Sequence, residues 1–305
     1  MRTGNRYPPR RFMRISVILP TKDRGPDIDQ TLAALRDQSV AVADYEVIVV
    51  DNASSPENGL RLRRWCEQNP DVFRYLPEPA PGLNHARNAG VRAARGDVLA
   101  FLDDDAVPDQ TWLAALDQVF EQHAAAWAVG GRVVSRFTSE PPAWLDATFD
   151  VYLSAFDRGD SVRPLHYDDL PRGANMAFRK PAFEQCGLFA TRLDRRGDML
   201  LSNGDIEMCY RVERAGHDVL YAPDARVLHL IRGDRLDQQW FRRRAYWQGR
   251  SQALFERMHF GAAHLIRKLP YRLLRTLVSA SSYRRAMHRG LCAGTLRHLF
   301  ENRIR

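Results

Sequence analysis

The sequence predicts an α/β fold, and three observations carry that reading. Short apolar runs alternate with segments whose apolar residues recur at helical spacing, in a βαβαβ rhythm. Three of the apolar runs lead directly into polar or acidic residues. Composition supplies the core, because 45% of the 305 residues are hydrophobic while Gly (19) and Pro (17) stand at ordinary levels. The rhythm implies a parallel sheet with helices on both faces.

Taken in order, Ile15–Leu19 (ISVIL) reads as a buried strand ending at Pro20. Asp27–Gln38 places Ile28, Leu32 and Leu35 on one helical face, with Asp27 as its N-cap. Glu46–Val50 (EVIVV) is a second strand, Leu60–Gln68 a helix and Val72–Leu76 a third strand. His85–Arg95 is a helix closed by Gly96 at its C′ position, and Asp97–Leu102 (DVLAFL) is a strand. A helix over Pro108–Phe120 follows, with Asp109 among its possible caps. Ala128–Val134 and Ala174–Phe178 read as strands, separated by a surface excursion, Ser135–Pro171, rich in Pro, Asp and aromatics. Ile206–Ala215 is a helix stopped by Gly216, followed by short strands at Val219–Ala222 and Arg226–Leu230. Beyond Asp237 the chain is helical in character.

In open α/β sheets, ligands gather at the carboxyl ends of the strands. The residues there are Thr21 to Arg24, Asp51-Asn52 and Asp103-Asp104-Asp105. Three adjacent carboxylates repel one another unless cations or hydrogen-bond donors compensate them. Such oxygen ligands suit Mg²⁺ or Mn²⁺, which take one or two protein carboxylates together with phosphate oxygens. A solvated acidic loop or a helix cap is the structural alternative for the same triplet.

The strings VILPTKDR, EVIVVDNAS and PGLNHARNAGVRAARGDVLAFLDDDAVP, then GANMAFRK and NGDIEMCYRVERAGHDVLYAPDARVLHL, resemble family 2 glycosyltransferases of the A-type fold. The five blocks occur in the family's order and span about residues 14 to 231. The resemblance implies a single Rossmann-like, mixed-sheet A-type domain over residues 14–236, with a helical extension over 237–305. Its halves would be nucleotide-binding (14–105) and acceptor-binding (106–236). The implied activity is inverting, metal-dependent transfer of a sugar from a nucleotide diphosphate sugar to an acceptor hydroxyl, with Mg²⁺ or Mn²⁺ as cofactor.

By the same resemblance, Thr21 and Arg24 match the first nucleotide-contacting loop and Asp51 the carboxylate that reads the base. Arg87 matches an Arg near the diphosphate. Asp103, Asp104 and Asp105 form the D-x-D motif, with Asp103 towards the ribose or sugar and Asp105 on the metal. His229 matches a further metal ligand, although a strand-end His satisfied within the fold reads the same way. Gly173 and Asn175 match the segment lining the acceptor space, where sheet packing is the alternative. Asp205 matches the catalytic base, and Glu207 is the reserve candidate because Gly204 replaces the first acid of the family's usual pair. Helix capping is the structural alternative for both. Gln239 and Arg242 keep part of the processive members' Q-x-x-R-W motif, but Arg243 stands where Trp is expected, which favours single-sugar transfer.

Charge is divided unevenly along the chain. Residues 240–305 carry 15 basic and two acidic residues, a net +13, whereas residues 1–239 hold 30 basic and 35 acidic, a net −5. Trp240, Trp247 and Leu254 fall seven apart, and apolar spacing continues from Leu265 to Val278 among Arg267, Lys268, Arg272 and Arg275. These helices are expected to pack on the core or a second copy, with contact to an anionic membrane surface as the sharper reading. Nucleic acid is not an expected partner, since no aromatic-basic RNA module is present. Two alternatives remain: a catalytically silent nucleotide-sugar-binding or assembly protein, opposed by the intact set Asp51, Asp103, Asp105 and Asp205, and a nucleic-acid binder acting through the basic tail, which salt-dependent RNA binding by residues 240–305 would support. The basic N-terminal segment lacks a secretory apolar stretch, and Cys66, Cys186, Cys209 and Cys292 show no metal-ligand spacing. The chain therefore reads as cytoplasmic, peripheral at a membrane if the basic helices bind one.

Overall fold

A computed structural model describes residues 14–195 and 199–300; the segment 1–13, most of the basic N-terminal stretch, and residues 301–305 lie outside it. In chain order the main elements are β1 (Ile15–Thr21), α1 (Asp29–Arg36), β2 (Tyr45–Asp51), α2 (Pro56–Gln68), β3 (Phe73–Pro77) and α3 (Leu83–Ala93). They continue as β4 (Val98–Leu102), β5 (Ala106–Pro108), α4 (Trp112–Gln122), β6 (Ala126–Phe137), β7 (Arg163–Pro164), β8 (Asn175–Arg179) and α5 (Pro181–Cys186). The last are α6 (Gly204–Arg214), β9 (Asp218–Ile231), α7 (Gln238–Val278) and α8 (Ser282–Phe300).

One sheet runs in the order β3-β2-β1-β4-β8-β6-β9-β5, with β7 also paired to β9. The first half meets the expectation: β1 pairs in parallel with β2 and β4, and β2 with β3. Every residue of β1, β2 and β4 is buried, as strands covered on both faces must be. The second half departs from it, because β8 lies antiparallel to both β4 and β6. The sheet is mixed, as the resemblance implies, and not parallel throughout, as the βαβαβ rhythm alone suggests.

Several local readings are corrected. Asp27 does not cap α1; it lies in a preceding 3₁₀ turn and pairs with Arg232. Gly96 is not a left-handed C′ residue. Any Cβ there would come within 2.6 Å of both Arg14 O and Ser16 N, so glycine is required for close approach to β1. Asp109 pairs with Arg226 instead of capping α4, which starts at Trp112. The two short strands after Gly216 are one strand, β9, with a register shift against β6 between Gly131 and Arg132. The stretch Ser135–Pro171 is more than a surface excursion: it opens with the end of β6 and buries Phe156, Leu165 and Leu170 in the main core.

The basic helices pack on this core. Phe255 of α7 belongs to the main cluster, and Phe241 joins Phe149, Leu153 and Ile231 in a second one. Helix α7 breaks at Gly261 (φ 81°, ψ 178°), beyond which it runs back against α8. Its lone acidic residue, Glu256, is buried against Arg272, which also donates to Thr295 Oγ1 at 2.7 Å. Among the described residues no helix is long and apolar enough to cross a membrane.

Candidate active site

The carboxylate triplet follows β4 directly, and its neighbours are set by strand pairing. Strand β5 turns back to pair with β9, with Ala106 opposite His229, and Leu230 N donates to Asp105 O at 2.8 Å. That register sets His229 beside Asp105, with Nε2 3.1 Å from Asp105 Oδ1. His229 Nδ1 lies 2.8 Å from the carbonyl of Leu153, an acceptor only, so Nδ1 carries the proton. Nε2 is the ring nitrogen that faces the carboxylates. Asp103, Asp105 and His229 have ligand atoms all within 4.8 Å of one another. Two carboxylates and an imidazole nitrogen converging in this way form a ligand set that fits a divalent cation.

Asp104 and Asp105 are both buried. Thr21 Oγ1 donates to Asp104 Oδ2 at 2.7 Å, and Arg24 spans the pair, 2.8 Å from Asp104 Oδ1 and 2.9 Å from Asp105 Oδ2. Arg235 adds a contact to Asp105 Oδ2 at 2.9 Å. Burial pushes the Asp104 carboxyl up, and Arg24 only partly opposes it. Burial acts on Asp105 too, but His229, Arg235 and Arg24 together hold it well below the usual carboxylate range.

A chain of hydrogen bonds links this cluster to Asp205. Arg87 Nη2, on α3, lies 3.5 Å from Asp103 Oδ1 and donates to Gly173 O at 3.3 Å. Gly173 N in turn donates to Asp205 Oδ2 at 2.6 Å, while Asp205 Oδ1 accepts from Ile206 N at 2.9 Å in the first turn of α6. A Cβ at Gly173 would stand 2.5 Å from Arg87 Nη2, so a larger residue here would displace the guanidinium from its present position.

A cavity of about 530 Å³ opens over the cluster, lined by Thr21, Arg24, Asn52 and the three aspartates on one side. A smaller hollow adjoins it beside Arg87, Gly173 and Asp205. Three expected residues lie elsewhere. Asp51 sits beneath, accepting from Tyr75 OH at 2.6 Å and Ser54 N at 3.1 Å, and its neighbour Asn52 is the residue that reaches the cavity. Asn175 is fully buried and ties strands together, donating to Arg132 O at 3.0 Å and Ala225 O at 2.7 Å and accepting from Trp112 Nε1 at 2.9 Å. Glu207 is clamped by Arg211 at 2.9 Å and His259 at 3.0 Å, a latch between α6 and α7.

Other lining residues escaped the sequence reading. Tyr152 and Ser154 come from the stretch read as a surface excursion, Arg235 from the turn after β9, and Trp240 and Arg244 from the basic helix. Only Arg235 left a signal, since adjacent buried carboxylates require nearby cations.

A family model described as glycosyl transferase family 2 matches residues 16–187. The chain belongs to that family. A glucosyl-dolichyl phosphate glucuronosyltransferase from Haloferax volcanii is 28% identical over 256 residues, covering 81% of this chain and 79% of its own. A succinoglycan biosynthesis protein from Rhizobium meliloti is 26% identical over 243 residues, covering 77% and 74%. Among solved structures, a mannosyltransferase from Pyrobaculum calidifontis in complex with GDP-Man and Mn²⁺ superposes with a TM-score of 0.61 at 23% identity, covering 95% and 88%. This likeness establishes the A-type glycosyltransferase fold.

Glu207→Gln tests the latch. Burial pushes the Glu207 carboxyl up, but the His259 hydrogen bond and Arg211 outweigh it and leave the group below its ordinary 4.5. Its stabilising contribution is thus complete above that pH and is lost as pH falls below it. Thermal denaturation across this range should show the variant melting lower than wild type at neutral pH, with the gap closing in acid. An unchanged melting midpoint at neutral pH would contradict the latch.

Proposed function

We propose that this glycosyltransferase moves one sugar, with inversion, from a nucleotide diphosphate sugar to an acceptor hydroxyl. The observation that carries the reading is the hydrogen-bonded chain from Asp103 through Arg87 and Gly173 to Asp205, which couples a cation-binding cluster to a carboxylate. The solved mannosyltransferase with GDP-Man and Mn²⁺ and the nucleotide-sugar chemistry of the family support it. Residues 14–105 would form the nucleotide half and 106–236 the acceptor half.

Asp105 and His229, with Asp103, would hold Mg²⁺ or Mn²⁺, which supplies positive charge for the diphosphate leaving group. Thr21, Arg24 and Arg235 keep the carboxylates in place. Arg87 neutralises charge as the bond between the anomeric carbon and the diphosphate breaks. The acceptor oxygen attacks from the opposite face, and its proton passes to a carboxylate oxygen of Asp205 as the new bond forms. Gly173 N fixes the orientation of that carboxylate.

We further propose that the α7–α8 hairpin rests on an anionic membrane surface. Ile266, Tyr271, Leu273, Leu274, Leu277 and Val278 are exposed on its outer face, Leu277 by 80%. Arg267 and Lys268 stand among them, and each basic residue near an anionic surface is worth about 1 kcal/mol.

Two measurements follow. Asp205→Asn keeps the shape and the Gly173 contact but cannot accept the proton, so turnover should fall by about 10²-fold or more with nucleotide binding retained. Near-normal turnover would exclude Asp205 as the base. In sedimentation with liposomes, phosphatidylglycerol vesicles should pellet the wild type at low salt, and Leu273→Asp combined with Leu277→Asp should remove it. Failure of both anionic and neutral vesicles to pellet the wild type would end the membrane reading.

A further inference from the structure

Asp205 stands in the first turn of α6, and the residue that starts this helix has an unusual backbone. Asn203, the N-cap, sits at φ 70° and ψ 9°, in the left-handed region, although an N-cap ordinarily has extended backbone. Asparagine tolerates that region better than most residues, yet it still prefers others. Nor does its side chain cap the helix, which is the usual role of Asn at this place. The residue is 2% exposed, so its carboxamide needs partners within the fold.

Those partners come from α7. Gln248 Nε2 donates to Asn203 Oδ1 at 2.7 Å, and Asn203 Nδ2 donates to Gln252 Oε1 at 3.2 Å. The other end of the Gln248 carboxamide, Oε1, accepts from Ser202 Oγ at 3.0 Å. Ser202 N donates to Ser251 Oγ at 2.9 Å, and that hydroxyl donates back to Trp247 O of its own helix at 2.8 Å. Gln248, Ser251 and Gln252 share one helical face with Phe255, which is buried in the main core. A docking face is ordinarily apolar, but these three polar residues on it all bond to the two residues that precede Gly204.

Gly204 itself passes so near α3 that a Cβ would stand 2.4 Å from Asn84 Nδ2. The entry to α6 is thus confined by α3 and α7 together. Asn203 O accepts the first bond of the helix, from Glu207 N at 2.8 Å. A change of φ at Asn203 therefore turns Asp205, two residues on, away from Gly173 N.

We infer that Gln248 is a positioning residue for sugar transfer: by bridging Ser202 and Asn203 it holds Asn203 left-handed, and through that backbone it fixes the direction of the Asp205 carboxylate. The C-terminal helix sets the geometry of the base without bonding to it. The inference rests on the reading of Asp205 as base. Gln248 also borders the hollow beside Asp205, so direct contact with the acceptor is the competing role.

Crystal structures and donor hydrolysis, both on the full chain, test the inference together. Gln248→Met keeps the length of the side chain and removes both hydrogen bonds, while Asn203→Gly takes the left-handed backbone without a brace. In Gln248→Met, Asn203 should leave its φ of 70° and the 2.6 Å contact between Gly173 N and Asp205 Oδ2 should open. Hydrolysis of GDP-mannose and UDP-glucose with Mn²⁺ uses water in place of the acceptor. Its kcat should fall about tenfold or more in Gln248→Met, with KM for the donor unchanged. Adding Asn203→Gly should recover most of that loss, because the backbone no longer needs the bridge. A residue that only bound the acceptor would leave hydrolysis intact. Unchanged geometry at Asn203 and Asp205 in Gln248→Met would overturn the inference, as would a loss that Asn203→Gly does not relieve. The structural comparison needs no donor and decides alone where neither donor is hydrolysed. Asp205→Asn, run in parallel, separates the two claims. Hydrolysis unaffected by Asp205→Asn would overturn the base reading, whereas hydrolysis lowered by Asp205→Asn but not by Gln248→Met would overturn the role of Gln248.

Discussion

The site depends on burying Asp104 and Asp105 side by side. Two adjacent carboxylates out of water would repel each other and protonate unless positive groups surround them. Here Arg24 bridges both, Arg235 holds Asp105 from the far side, and Thr21 donates to Asp104. These partners come from the end of β1 and the turn after β9, so the carboxylates draw distant parts of the chain to one point. Removing the cationic partner of a buried ion pair typically costs about 3–5 kcal/mol, a large share of a domain's stability, so Arg24 and Arg235 are what keep the two carboxylates buried. The arrangement leaves Asp105 ionised and facing His229, which is the state a cation requires.

The same logic explains why the basic helix belongs to the site. Helix α7 is held to the core by Phe241 and Phe255 and by the Glu207–His259 contact. Once docked, it carries Trp240 and Arg244 to the cavity wall. Positive charge in this region thus serves two places: inside, near the carboxylates, and outside, along the hairpin beyond Gly261. A count of charge along the chain merges the two.

Much of this was legible in the sequence, for physical reasons. Runs such as ISVIL and EVIVV are apolar throughout because strands covered on both faces have no solvent side, and residues following them fall at the sheet's carboxyl edge. That was enough to bring Thr21, Arg24 and the aspartate triplet together. Asn175 was misplaced because a polar residue in a buried strand looks the same whether it meets a ligand or ties neighbouring strands; only its three internal partners decide. Glu207 was placed in the site as a reserve because the partner that occupies it, His259, lies 52 residues away on another helix. The reversal from parallel to mixed sheet at β8 was legible only through the resemblance, which implies a mixed sheet; hydrophobic patterning alone does not show it, since a short buried strand reads identically in either direction.

The account stands most directly on cation-dependent nucleotide binding at the Asp103–Asp105–His229 cluster. Titrating nucleoside diphosphates into the protein with Mn²⁺ and with chelator, in wild type, Asp105→Ala and His229→Ala, measures it. The account predicts saturable binding in wild type with Mn²⁺, strong weakening by chelator, and loss in Asp105→Ala with an unchanged far-ultraviolet circular dichroism spectrum. Equal affinity of the wild type with and without the cation would contradict it.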